Sequence, residues 1–490
     1  MKVWMVGTEM APYAKVGGLG DVLGALPQAL ARIGCDVTVI LPHLASIDAA
    51  RWGLSPTGVS VRALIDGQWQ TAEVLEANAP GTGRVRVLFL HHPAYFHREG
   101  LYGTPAGDFP DNAQRFAFLC YAALEAGARC APQPDVVHSH DWQAGLVPFF
   151  LKAPEHYGSD PRFAGAVRVH TIHNLSYQGL FPAEVLPRLG ISWAYFHHLG
   201  LEFYGLVNFL KAGLVYADVL TTVSPTYARE IQTFDFAWGL HGVLVERAAD
   251  LHGILNGIDD RSWDPGNDGA LVQQYSRGDL AARKHNTRAL RAELGLPRDG
   301  RPLAGVVNRL VQQKGIDLLL GLEPHLEGLG LQWAILGSGE TGYEAAVVDL
   351  VRRHPGTVAA RIGFDDGVAR RIYAGSDLFC MPSLFEPCGL GQMIALRYGS
   401  IPVVRRTGGL ADTVRDVATP EGVGFVFEEP SPAALEGALE RARVLLANPS
   451  RTAAVRRRGM AMDYSWNASA GRYLEVYRQA AGRRPHRPLQ

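Results

Sequence analysis

Two glycine-rich turns, Lys15-Val-Gly-Gly-Leu-Gly-Asp21 and Glu386-Pro-Cys-Gly-Leu-Gly-Gln392, lie in opposite halves of the chain. Each follows a strand-like apolar run and leads into a helical pattern. A turn of this kind lets the backbone approach a ligand and aims the first amides of the helix at an anion. One such turn can cradle a phosphate; two in separate halves point to a ligand held between domains. At 490 residues a single core has usually stopped growing, so two domains are expected.

The pattern along the chain supports an α/β fold. Residues 2–7 read as a buried strand, 21–33 as a helix stopped by Gly34, and Cys35–Leu41 as the next strand, a βαβ unit. Apolar runs at 85–90, 135–138 and 167–172 and a helix at 112–127 extend a doubly wound sheet. Residues 50–84 read as a surface hairpin, 92–111 as a loop and 264–300 as a charged helical stretch. A second set begins with a strand at Pro302–Asn308 and a helix near 315–327, then a strand at Leu331–Leu336 and a helix near 341–353. Strands near 358–362, 377–381, 401–404 and 424–427 complete it. A helix at 463–481 precedes a basic tail expected to fray.

Acids and bases nearly cancel, with a formal net charge of -1, so no footprint for nucleic acid or an anionic membrane is visible. Five cysteines without metal-ligand spacing argue against a secreted disulfide framework. With no targeting segment and no apolar run of membrane-spanning length, a cytoplasmic protein is expected. Only six of the basic residues are Lys, which singles out Lys15 and Lys314.

In the first turn, Gly17, Gly18 and Gly20 allow close approach, Asp21 is positioned to cap the helix, and Lys15 brings a positive charge. The turn matches neither the GxGxxG dinucleotide fingerprint nor a P-loop. In Asn308-Arg-Leu-Val-Gln-Gln-Lys-Gly315, Arg309 and Lys314 flank a turn and suit the two phosphates of a nucleoside diphosphate. Gly389 and Gly391 offer backbone amides to the same diphosphate, and Glu386 beside them suits sugar hydroxyls. His138-Ser-His-Asp-Trp142 and His170-Thr-Ile-His-Asn174 follow strands; alternation turns some of these histidines into packing, and no metal site is expected. Asp141 and His173 suit a sugar ring with Trp142 beneath. Asn256 and the Thr407-Gly-Gly-Leu-Ala-Asp412 turn are further candidates, and Tyr95 and His97 are placed in a loop lining an acceptor groove.

At these residues the chain resembles the bacterial glycogen synthases and plant starch synthases, retaining glucosyltransferases of the GT-B type with two Rossmann-like domains facing a deep cleft. The resemblance runs through the Lys15–Asp21 loop, HDWQAG at 140–145, HNLSYQG at 173–179, LNGID at 255–259, NRLVQQKG at 308–315, FEPCGLGQ at 385–392 and TGGLAD at 407–412. It implies transfer of glucose from ADP-glucose to the non-reducing end of an α-1,4-glucan or maltooligosaccharide. ADP would leave, the configuration would be retained, and neither a cofactor nor a metal would be needed. By motif position, Lys15, His173, Arg309, Lys314 and Glu386 would serve the reaction. Gly18, Asp21, Asp141, Asn256, Cys388, Gly389, Leu390, Gly391 and Thr407 would bind the donor. The implied domains are 1–255, completed by 464–490, on the acceptor side, and 256–463 for the sugar nucleotide. Two departures from the family pattern are Gly20 in place of its usual Ala and Gly391 in place of its common Thr.

Without paired carboxylates of the hydrolase kind, the resemblance implies a front-face route in which the leaving phosphate helps deprotonate the acceptor. Other readings stay open: a retaining transferase that uses UDP-glucose or makes a small glycoside, and a catalytically silent glucan-binding protein. A homo-oligomer is compatible with either.

Overall fold

The computed structural model describes residues 1–81, 83–104 and 107–482. The chain forms two compact units. The first comprises Met1–Val223, Ala228–Ile254 and the described part of Trp466–Gln490; the second comprises Ser224–Tyr227 and Leu255–Ser465. The basic tail beyond Gly482 lies outside the described residues.

The sheet of the first unit has nine strands, in the spatial order Leu251–Gly253, Val219–Thr222, Val167–Ile172, Val136–His140, Lys2–Val6, Asp36–Pro42, Val85–His91, Gln68–Asn78 and Ser55–Ile65. The first seven run parallel to one another, and Gln68–Asn78 is antiparallel to both of its neighbours. Parallel central strands are covered on both faces, which is why Val136–His140 is buried at every position despite its two histidines. The chain leaves Lys2–Val6 toward one edge and later returns to its other side through Val136–His140. This makes a topological switch point between these strands, where α/β sheets bind ligands.

The hairpin expected at the surface is part of this sheet. Gln68–Asn78 pairs with both Ser55–Ile65 and Val85–His91. Its alternating Val61, Ala63, Ile65, Ala72 and Val74 are buried, and Asp66-Gly67, at φ 54° and 70°, makes the tight turn. Helix Gly18–Arg32 begins earlier than its charged residue Asp21 suggests. Helix Trp466–Gly482 packs against it, and Tyr473 and Tyr477 of that helix are fully buried.

The second unit carries a parallel six-stranded sheet ordered Val358–Ile362, Gln332–Gly337, Leu303–Val307, Leu378–Met381, Ile401–Arg405, Phe425–Phe427. Its switch point lies between Leu303–Val307 and Leu378–Met381. Two expectations are corrected here. Residues 264–300 are mainly turns, with one helix at Arg283–Leu294. Asp264, Asp268 and Ser276 side chains accept from the amides of Gly266, Ala270 and Gly278 and so compete with helix formation. The helix near 315–327 is broken into Ile316–Leu320, a 3-10 turn at Glu323–His325 and Leu326–Leu329, with Gly321 and Pro324 in the breaks.

Candidate active site

In the first unit both functional loops leave the strands that flank the switch point. Gly17 is the N-cap of helix Gly18–Arg32, and a Cβ added at Gly17 or Gly18 would meet no atom within 4 Å, so the backbone there is open to a ligand. Asp21 does not cap the helix, as the sequence suggests. It sits in the first turn and accepts an ion pair from Lys15 Nζ at 2.7 Å, with the Lys15 side chain half exposed. Burial raises the Asp21 carboxyl, and Lys15 partly offsets this. A Cβ at Gly20 would lie 3.0 Å from Lys15 Cγ, so the absent methyl leaves room for that lysine.

The loop is held by a residue with no sequence signal. Buried Glu9 accepts from Val16 N at 2.6 Å and Gly17 N at 2.8 Å through Oε2, and from Tyr102 Oη at 2.6 Å through Oε1. Thr8 Oγ1 and Tyr102 Oη are 2.9 Å apart. Burial, then Glu9, raises the Tyr102 phenol far above its ordinary range, so it stays a donor to the carboxylate.

The histidines expected to pack do so. His138 Nδ1 lies 2.7 Å from Tyr477 Oη and its Nε2 is 2.5 Å from Thr171 Oγ1. His170 Nδ1 is 2.8 Å from Ser139 Oγ, and His140 Nδ1 is 3.0 Å from His173 Nε2. Burial pushes all four toward the neutral form, His170 and His173 down to about 3. Among the described residues no group of three or more His, Cys, Asp and Glu is placed to hold a metal ion.

Asp141 has φ 54°, an unusual backbone for a residue other than glycine, and its Oδ1 accepts from His173 N at 2.7 Å. Burial pushes its carboxyl up to about 7, against that backbone hydrogen bond. Asp141 and His173 are therefore brought together, with Trp142 buried beside Phe116 at a ring separation of 4.9 Å. Tyr95 is corrected: it is buried and stacked on His92 at 4.4 Å, so it lines no groove, whereas His97 is exposed.

In the second unit, loop 308–315 follows Leu303–Val307 and loop 382–391 follows Leu378–Met381, one on each side of the switch point. Gly315, at φ 68°, is pressed onto Pro382, whose carbonyl O would lie 2.0 Å from an added Cβ. Leu384 N donates to Gln313 O at 2.9 Å and Gln313 Nε2 to Phe385 O at 3.2 Å. This lacing brings Lys314 Nζ to 2.8 and 2.7 Å from the two Glu386 carboxylate oxygens, and Ser383 Oγ donates to Oε2 at 2.9 Å. Arg309 is exposed and forms no ion pair among the described residues.

Gly389 has φ 72°, and an added Cβ there would sit 2.5 Å from Gln392 Oε1. Leu390 is the N-cap of helix Gly391–Arg397. The space a Thr at 391 would need is bounded by Met381 Sδ and Phe379 Cε1, each 3.2 Å from an added Cβ. Thr407 occupies the N-cap position of helix Gly408–Thr413, and Gly408 and Gly409 are packed on the carbonyls of Glu386 and Cys388. Asn256 is buried, with no partner for its Oδ1 among the described residues, and its backbone faces the Cys388 thiol, which burial pushes up to about 12. Ser383 and the exposed Phe364, just past strand Val358–Ile362, were not singled out by the sequence. A recess of about 560 Å³ lined by Asp260, Asp264, Arg277, Arg397 and Tyr464 holds none of the candidate residues.

Two switch-point sites with glycine turns, each with a lysine–carboxylate pair, match the class of glycosyltransferases. Residues 2–246 match the family described as starch synthase catalytic domain and residues 288–458 match glycosyl transferases group 1, the two Rossmann-like domains of the GT-B type. The chain is 49% identical over 484 residues to a glycogen synthase of Anaeromyxobacter dehalogenans (strain 2CP-C), covering 98% of this chain and 100% of the relative. It is 47% identical over 484 residues to that of Syntrophotalea carbinolica, covering 98% and 99%. The catalytic domain of starch synthase IV from Arabidopsis thaliana, solved bound to ADP and acarbose, superposes with a TM-score of 0.89 at 34% identity, covering 98% and 99%. The chain belongs to the glycogen synthase family.

Proposed function

We propose that the chain transfers glucose from ADP-glucose to the non-reducing end of an α-1,4-glucan, retaining the α configuration and releasing ADP. The observation that carries this is the meeting of Lys314 and Glu386 at the switch point of the second sheet, beside the glycine turn 389–391. A cation for phosphate and a carboxylate for sugar hydroxyls in one place are what a sugar nucleotide requires. Similarity to glycogen synthases over almost the whole chain, and to a starch synthase solved with ADP and acarbose, supports the donor and acceptor.

Residues 256–463 bind the sugar nucleotide in this reading. Arg309 and Lys314 neutralise the diphosphate; the amides of Cys388 to Gly391 and Thr407 complete its cradle; Glu386 and Asn256 hold the glucose. Phe364 offers an exposed ring to the adenine. Residues 1–255, completed by 464–490, act on the acceptor side. There Asp141 and His173 orient sugar hydroxyls, and Lys15, Asp21 and Gly18 belong to a glycine loop whose amides and lysine suit a phosphate.

The bond from C1 to the β-phosphate oxygen breaks, a bond from acceptor O4 to C1 forms on the same face, and the O4 proton passes to the departing phosphate. Fixed cations stabilise the charge that develops on that phosphate. The five unpaired cysteines suit the reducing cytoplasm, and among the described residues no helix is long and apolar enough to cross a membrane.

The deciding experiment measures ADP release from ADP-glucose with and without maltotriose, with chain length analysed alongside and UDP-glucose in parallel. Acceptor-dependent ADP release with lengthened α-1,4 chains is expected. Extension with UDP-glucose alone would change the donor, and no turnover with either would overturn the enzyme reading.

A further inference from the structure

The first unit carries large aromatic side chains that its core does not use. Tyr204, Phe234 and Trp238 are 78%, 79% and 52% exposed. Water-facing rings of this size on one unit call for a partner. Tyr204 and Trp238 also have φ 48° and 49°, a left-handed backbone that side chains disfavour.

The segments that carry Tyr204 and Trp238 are tied together. Gly239 approaches Phe203 and Tyr204 so closely that an added Cβ would lie 2.8 Å from Phe203 Cζ and 3.2 Å from Tyr204 Cε2. The Trp238 carbonyl accepts from buried Gln178 Nε2 at 2.9 Å, and Gln178 Oε1 accepts from fully buried Asn208 Nδ2 at 2.6 Å. Glu202 Oε1 accepts from Gly205 N at 2.8 Å and fixes the turn that presents Tyr204. Phe234 meets His241 edge-on at 5.6 Å. The rings are thus held out from anchored backbone.

The surface continues the acceptor side of the same unit. The segment that begins at His173 and Asn174 runs through exposed Tyr177 to Gln178, whose amide holds Trp238. Gly179, the next residue, is pressed on Trp142, where an added Cβ would be 2.3 Å from Cε3. A polymeric acceptor whose end reaches Asp141 and His173 has its following sugars to lay on a surface. The C–H faces of glucose rings are apolar and match aromatic faces without any need for charge.

We infer that Tyr204, Phe234 and Trp238 form a stacking platform for the body of an α-glucan chain, outside the sugars at the reacting end. This rests on the proposed glucan acceptor. The platform gives the protein its grip on long chains and is idle with short ones.

The full-length protein tests it through the variants Tyr204→Gly, Trp238→Gly, their double and Phe234→Ala. Glycine removes each ring while suiting the left-handed backbone. Retardation in native gels containing glycogen gives affinity, and KM for glycogen and for maltotriose with ADP-glucose gives function. The double variant is expected to weaken glycogen affinity and raise the glycogen KM by about tenfold, with maltotriose kinetics unchanged within about twofold. Tyr204→Phe and Trp238→Phe should retain the parent behaviour. Unchanged glycogen affinity in the double variant overturns the platform, as does an equal loss with maltotriose. A parent protein that neither binds nor extends any glucan would instead overturn the functional reading beneath it.

Discussion

Lys314 and Glu386, 72 residues apart in sequence, meet in a two-pronged ion pair at 2.8 and 2.7 Å, with both side chains largely out of water. Truncating one partner strands the other charge, at a cost of about 3–5 kcal/mol for a buried pair. Lys314→Ala is therefore expected to lower both thermal stability and turnover. The double variant Lys314→Met/Glu386→Gln, which leaves no lone charge, should recover most of the melting temperature and none of the ADP release. Recovery of both would make the pair purely structural.

Arg309 offers the opposite combination. Its exposed side chain makes no ion pair among the described residues, so Arg309→Ala should shift stability by no more than about 0.5 kcal/mol. Loss of a cation that stabilises the leaving diphosphate should reduce kcat by about 10²–10³. Calorimetry with steady-state ADP release checks both halves, and near-normal turnover would remove Arg309 from the chemistry.

Glu9 supports the first glycine loop through three hydrogen bonds. Glu9→Ala removes the acceptor of the Val16 and Gly17 amides, which sit in an exposed turn where water can take its place, so the cost is about 0.5–1.5 kcal/mol for each hydrogen bond lost. Faster amide hydrogen exchange confined to residues 15–20 and a higher donor KM are expected. Unchanged exchange there would show that the loop holds itself.

Asp141 gives a pH signature. Burial raises its carboxyl from 3.8 to about 7, so between those values the folded chain holds a proton that the unfolded chain has released. The stability contributed by the neutral carboxyl is full below about pH 3.8, declines as pH rises through this window, and is gone above about 7. Asp141→Asn should accordingly raise the melting temperature more at pH 8 than at pH 5. In the parent, binding of sugar hydroxyls by the carboxylate should strengthen as pH passes 7, and the variant should lack that rise. Equal gains at the two pH values would contradict the buried, proton-holding carboxyl.

The strands and both glycine turns were legible because buried parallel strands are written as unbroken apolar runs and glycine marks their exits. The hairpin's membership of the main sheet was harder to read, since alternation in 55–78 reveals a buried face but not what covers it. Residues 264–300 misled because their charge resembles an exposed helix, while the decisive features were side-chain bonds from Asp264, Asp268 and Ser276 to nearby amides. Glu9 carried no signal: its partner Tyr102 is 93 residues away, and a lone glutamate after a strand has many meanings. Asp141 and His173 could be paired from the ends of neighbouring strands, whereas the burial that moves the Asp141 proton could not.

Helix Trp466–Gly482 supplies Tyr473 and Tyr477 to the core of the first unit, and Tyr477 meets His138 on a central strand. The unit that leaves the ribosome first is consequently the last to be finished. Its sheet must wait for residues 255–465 to be made, about 10–40 s of synthesis at ordinary rates. During that interval the first unit lacks the two tyrosines that complete its interior, so loss of the final helix would injure the beginning of the chain rather than its end.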